Sequence, residues 1–284
     1  MVSIAENATK MSKYIDPFAI VSSTALVYGL ICRGLLPNST PTSTQAKLKS
    51  LSASHATLTT ILGLCALKYS RLHDTENRPH AVPGCLPDGN LDDRKNPLIW
   101  DKSPLANAIT ALEAGYLIYD TAAMIFYPSS QPRSRRTGSL IIHAAKNSPD
   151  LFAHHVLLAA GLMTLQYYIR QDRERGVWVI VVFILMNAST PFMHARWWAR
   201  KKGYSSRLTD LAFVVTFAAC RFGTIGWVLR QYGRYHGLGP VEAFGKLRWY
   251  CQAGTGGLLV MNGLWWLLLL RGILKRRLQS KTKA

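Results

Sequence analysis

An adjacent pair of histidines, His154-His155, and an aspartate, Asp120, stand in apolar stretches of the chain, where ionisable side chains are costly and mark function by default. Imidazole titrates near neutrality, and a carboxylate beside it fixes its tautomer or raises its pKa. The three residues therefore suit proton transfer and are the candidate catalytic set. His55, Asn187, Ser189, Arg221 and Asn262 occupy further apolar stretches and are the candidate ligand-binding residues. Taken singly, His55 and Asn262 read as hydrogen-bonding groups between helices, whereas Arg221 suits a carboxylate, a lipid phosphate or the membrane interface. Zinc is a competing reading for His55, His154, His155 and Asp120, but it needs three or four ligands at about 2 Å and hence four converging helix faces. No metal and no other cofactor is expected.

The elements that must hold these residues are helices in lipid. Hydrophobic residues make up 49% of the 284, and they fall in blocks of about 20 with few charges, enough to cross roughly 30 Å of hydrocarbon. The blocks cover residues 18–36, 51–69, 105–127, 151–169, 177–193, 208–229 and 250–270. Unpaired backbone groups in lipid cost several kcal/mol, so each span must be helical. The expected fold is an all-α polytopic transmembrane helical bundle of about seven spans, with six as the alternative. Pro191 removes one backbone hydrogen bond from the fifth block and is expected to distort that helix beside Asn187.

The net charge of +19 would suggest nucleic acid if it covered one face of a soluble domain. Threading seven spans instead puts it in the connections, and no nucleic-acid partner is expected. Loops 37–50, 128–149 and 194–207 with residues 271–284 carry 17 Lys/Arg and no acidic residue, whereas the opposite side carries 14 Lys/Arg against 11 Asp/Glu. Basic residues in short loops face the cytoplasm, which puts the C-terminus there. This threading gathers His55, Asp120, His154, His155, Asn187, Ser189 and Asn262 towards the cytoplasmic half, with Arg221 deeper.

The chain divides into a short lumenal N-terminal segment (1–17), a first span and linker (18–44), a transmembrane domain (45–278) with a long lumenal loop (70–104), and a basic cytoplasmic tail (279–284). The sequon Asn7-Ala8-Thr9 falls on the lumenal side, where it could be glycosylated. Four of the five cysteines lie in or beside spans and only Cys85 in a loop, so no disulfide framework is implied. The basic runs at 132–136 and 275–277 sit beside membrane ends and read as orientation charge.

Ser54-His55, Gly115-Tyr116, Asp120, His154-His155, Ser189-Thr190-Pro191-Phe192, Arg196-Trp197, Arg221-Phe222 and Asn262 with Trp265 occur in this order across six spans. Together they resemble the TLC domain (the TRAM/LAG/CLN type) over roughly residues 45 to 278. The smaller TLC domain-containing proteins are the most similar, and ceramide synthases are more distant. The resemblance implies a role in lipid metabolism or homeostasis at the endoplasmic reticulum membrane, with membrane lipids as partners. In ceramide synthases the histidine pair serves acyl transfer from acyl-CoA to a sphingoid base, which maps onto His154 and His155. Those enzymes carry acidic residues in the next span, where this chain reads Asn187-Ala188-Ser189. The leading expectation is therefore binding of an amphipathic lipid in a polar pocket in the cytoplasmic half of the bundle. A ceramide-synthase-like acyltransferase is the first alternative. A cargo receptor or translocation accessory, hinted at by the tail Lys281-Thr282-Lys283-Ala284, is the second.

Overall fold

A computed structural model describes residues 16–35, 41–70, 91–127, 137–204 and 207–281. The Asn7 sequon, Cys85, most of loop 70–104, the basic run 132–136 and the end of the tail lie outside the described residues. Among those described there is no strand. The helices are α1 (Pro17–Leu35), α2 (Pro41–Lys68), α3 (Pro97–Trp100), α4 (Pro104–Phe126), α5 (Thr137–Asn147), α6 (Pro149–Arg170), α7 (Val177–Ile184), α8 (Thr190–Lys201), α9 (Arg207–His236), α10 (Pro240–Lys246) and α11 (Trp249–Lys281). A 3₁₀ stretch, Leu185–Ser189, joins α7 to α8.

Proline sets many of these boundaries. Pro17, Pro41, Pro97, Pro104, Pro149 and Pro240 each open a helix, where the missing N–H has no intrahelical partner to lose and φ is already helical. Ser103 completes the start of α4 by accepting the Ala106 N–H on its hydroxyl at 3.3 Å. Inside the fifth apolar block, Pro191 stands in the first turn of α8 and the preceding residues tighten into the 3₁₀ stretch, the expected distortion beside Asn187. Gly237, at φ +69°, ends α9 as the left-handed residue of a closing turn in which Leu238 N donates to Gly233 O at 2.8 Å.

Six segments are long and apolar enough to cross a membrane: α1, most of α2 (Ser43–Lys68), α4, the run from α7 through α8 (Val177–Lys201), α9, and α11 to Arg276. The remaining expected block, 151–169, falls in α6, whose 22 residues suffice in length. His154, His155 and Gln166 leave it less apolar than the six, so the count runs from six to seven. Residues 137–147, read from the sequence as loop, form the amphipathic α5, which is too short to span. Leucines and isoleucines on α1, α2, α6 and α11, such as Leu30, Ile61, Leu157 and Leu264, point outward and exposed. Aqueous solvent would penalise such a surface, and hydrocarbon does not.

The chain forms two compact units. In the first, residues 16–55 and 102–177, α4 is buried on nearly every face and packs against both α1 and α6. The α1–α4 crossing is close at Gly115, where an added Cβ would come within 2.5 Å of Val21 O and 2.7 Å of Thr24 Cβ. In the second, residues 56–101 and 178–281, α9 packs against the 3₁₀ stretch, α8, α10 and α11. Met186, Ile225 and Leu229 form its core beside Phe183, Phe244 and Leu258.

Candidate functional site

In the first unit, α4 supplies two carboxylates to two histidines. Glu113 and Asp120 are seven residues apart, two helical turns, and so lie on nearly the same face. Glu113 Oε2 is 3.0 Å from His55 Nε2, and His55 Nδ1 is 2.8 Å from the Tyr28 hydroxyl. A carboxylate can only accept, so the neutral ring carries its proton on Nε2 and takes the Tyr28 O–H at Nδ1. The ring also stacks on Tyr116, with centroids 3.6 Å apart and planes 12° off parallel, while Tyr28 meets Tyr116 edge-on and stacks on Tyr119. His55 is only 2% exposed, and both its nitrogens are engaged.

Asp120 holds the other histidine more loosely. Its Oδ2 lies 3.4 Å from His155 Nδ1, an ion-pair contact without hydrogen-bond geometry. The side chains are 27% and 13% exposed respectively. The His154 ring stands 5.8 Å from that of His155, as expected for neighbours about 100° apart on one helix. Glu113 and Lys49 add their charges to the field around Asp120. The structure thus brings together His55, Asp120, His154 and His155 of the candidate residues, and adds Glu113 and Tyr28, which the sequence reading passed over. Among the described residues, no group of three or more His, Cys, Asp or Glu could hold a metal ion.

The other four candidates lie in the second unit. Asn187 donates from Nδ2 to Thr59 Oγ1 at the long limit of 3.5 Å, and buried Ser189 donates to Met186 O at 3.0 Å. Arg221 Nη1 donates to Asn262 Oδ1 at 3.0 Å, and Asn262 Nδ2 donates in turn to Leu258 O at 2.8 Å. Asp210 gathers arginines: Arg196 Nε and Arg200 Nη2 both reach its Oδ1 at 2.5 Å, and Arg276 Nη2 stands 3.6 Å from Oδ2. These contacts tie α8, the start of α9 and the far part of α11 through one buried carboxylate. Asp93, ahead of α3, accepts from Tyr232 Oη at 3.2 Å and contacts His236 Nε2 at 2.9 Å, holding that connection to α9. Nearby, hydrogen bonds from Arg94 hold the exposed Asp92 carboxyl down at about 2.

Glu113 carried a signal in the sequence. It is an acidic residue inside an apolar block, two turns before Asp120, and the same cost that singled out Asp120 applies to it. Tyr28 carried none, because a tyrosine in a membrane span is common and its partner comes from a different helix.

The family model for the TLC domain matches residues 46–271, a stretch that contains all eight candidate residues together with Glu113. No curated protein and no solved structure matches the chain. With six described segments long and apolar enough to cross a membrane and this match over most of its length, the chain belongs to the TLC-domain family of multi-pass membrane proteins.

Proposed function

We propose that the protein handles an amphipathic lipid inside the membrane, with the lipid's polar group met by Asp120 and His155, and His154 beside them. The observation that carries this reading is the contrast within the first unit: His55 is sealed and fully partnered, whereas His155 faces a carboxylate across 3.4 Å with its Nδ1 not hydrogen-bonded. A hydroxyl or amine of a lipid headgroup could bridge the pair, donating to Asp120 and accepting from the imidazole. The TLC domain supports a lipid as the ligand. The resemblance to TLC-domain proteins supports a location in the endoplasmic reticulum membrane, and the basic loops support a cytoplasmic C-terminus. Glycosylation of Asn7 in microsomes would support that orientation, and a glycan confined to the sequon Asn38-Ser39-Thr40, in the loop 37–50 assigned to the cytoplasm, would reverse it.

Acyl transfer from acyl-CoA to a sphingoid base is the second reading, favoured by the same contact. The amine nitrogen would attack the thioester carbonyl and the C–S bond would break. His155, oriented by Asp120, would pass the amine proton to the departing thiolate, leaving an amide and free CoA thiol.

Protein purified in detergent, with co-purifying lipids identified by mass spectrometry and acyl-CoA consumption followed in the presence of a sphingoid base, tests both readings. A His154→Ala/His155→Ala variant is the comparison. Lipid lost from the variant supports the binding reading, and turnover lost with it supports the transferase. Equal lipid occupancy in the two proteins would remove the histidines from the site.

A further inference from the structure

Arg221 occupies the middle of α9, about 21 Å from either end at ~1.5 Å per residue. The helix is about 45 Å long and the hydrocarbon layer about 30 Å thick, so Arg221 lies at least ~7 Å inside the layer wherever the layer falls along an upright helix. Nη1 donates to Asn262, itself fully buried on α11, and the guanidinium carbon stands 5.1 Å from the Phe217 ring centre and 5.9 Å from that of Trp265. Nε is buried with no hydrogen-bond partner. No carboxylate among the described residues pairs with it. Asn262 cannot neutralise it: its carbonyl accepts from Arg221 and its amide is committed to Leu258 O.

A guanidinium held in place by a neutral amide and two aromatic faces, with no counter-charge, is expensive to keep in a bilayer. It lacks one thing, an oxyanion, which it can grip with two parallel N–H groups. The surrounding Phe217 and Trp265 suit hydrocarbon. We infer that Arg221, positioned by Asn262, is the anion-binding residue for an amphiphile carrying a single oxyanionic group, a carboxylate or a phosphate. The inference rests on the lipid-handling reading only for the class of ligand, an amphiphile in the membrane, and it concerns the second unit by itself.

The test is a titration of the full-length protein in neutral detergent with a fluorescent polyene fatty acid and with its methyl ester. Lysophosphatidic acid serves as competitor, to separate phosphate from carboxylate. The acid is expected to bind about tenfold or more tightly than the ester, and Arg221→Gln to bring the two within about twofold by weakening only the acid. Displacement by lysophosphatidic acid at lower concentration than by unlabelled fatty acid assigns the site to phosphate, and the reverse assigns it to carboxylate. Asn262→Asp is the second variant. It supplies the missing anion internally, so it should raise the melting temperature and abolish the preference for the acid. Equal binding of acid and ester, or a preference that survives both substitutions, overturns the inference and leaves lipid handling standing. Binding of none of the three probes also overturns the inference, and only the further absence of any co-purifying lipid from the wild-type protein would overturn both.

Discussion

His55 and His155 each face a carboxylate carried by α4, yet the two pairs leave different room for a ligand. At His55 the partners come from three helices, Tyr28 on α1, His55 on α2 and Glu113 on α4, and the ring is covered by Tyr116. Both nitrogens are spent and water has no access, so the group specifies how helices meet. At His155 the partner is a single carboxylate at 3.4 Å, and both side chains remain partly open. The same residue types thus serve as structure in one place and as an available polar pair two turns away. What separates them is the count of satisfied hydrogen bonds and the degree of burial.

The largest expected effect of breaking this contrast is at Glu113. Replacing it by alanine leaves the buried His55 N–H without an acceptor and opens a cavity beside the ring, a loss of about 3 kcal/mol. Glu113→Gln keeps a carbonyl acceptor and should lose only about 1 kcal/mol. Thermal unfolding in detergent should therefore rank wild type above Glu113→Gln above Glu113→Ala. Equal melting of all three would show that the buried pair contributes nothing to holding α2 on α4.

The sequence made the helices legible because lipid imposes a simple rule: about 20 apolar residues must form a helix. Prolines at helix starts, Pro191 in the first turn of α8 among them, sharpened the boundaries. The same rule hid α5, which is too short and too polar to be a span and so reads as a connection, and it left α6, with His154, His155 and Gln166, the least certain of the spans. At the site, depth along a helix could be read from the sequence, but azimuth could not. Asp120, His154 and His155 can be grouped because each is unusual in its helix, but which histidine meets Asp120 is decided by packing. His55 was seen without Glu113 and Tyr28, since which faces meet is decided by packing, here by the close α1–α4 approach at Gly115. Arg221 and Asn262 were each recognised as polar, while their hydrogen bond depends on the α9–α11 register, which single-helix patterns do not encode.

Asp120→Asn carries the smaller stability effect and the sharper functional one. The pair is partly exposed and lacks hydrogen-bond geometry, so removing the charge should change stability by no more than about 1 kcal/mol. Asparagine keeps the shape and one acceptor but removes the charge and presents an amide donor, so a lipid hydroxyl or amine loses its strongest acceptor. Retention of the co-purifying lipid should fall by about tenfold, equivalent to roughly 1.4 kcal/mol. Glu113→Gln should lower the melting temperature while leaving lipid occupancy close to wild type. If instead Glu113→Gln empties the protein of lipid and Asp120→Asn does not, the roles are reversed: the sealed triad would be the ligand site and the open pair the structural one. Occupancy and melting temperature measured on the same two variants decide between these assignments, because each substitution moves one quantity and spares the other.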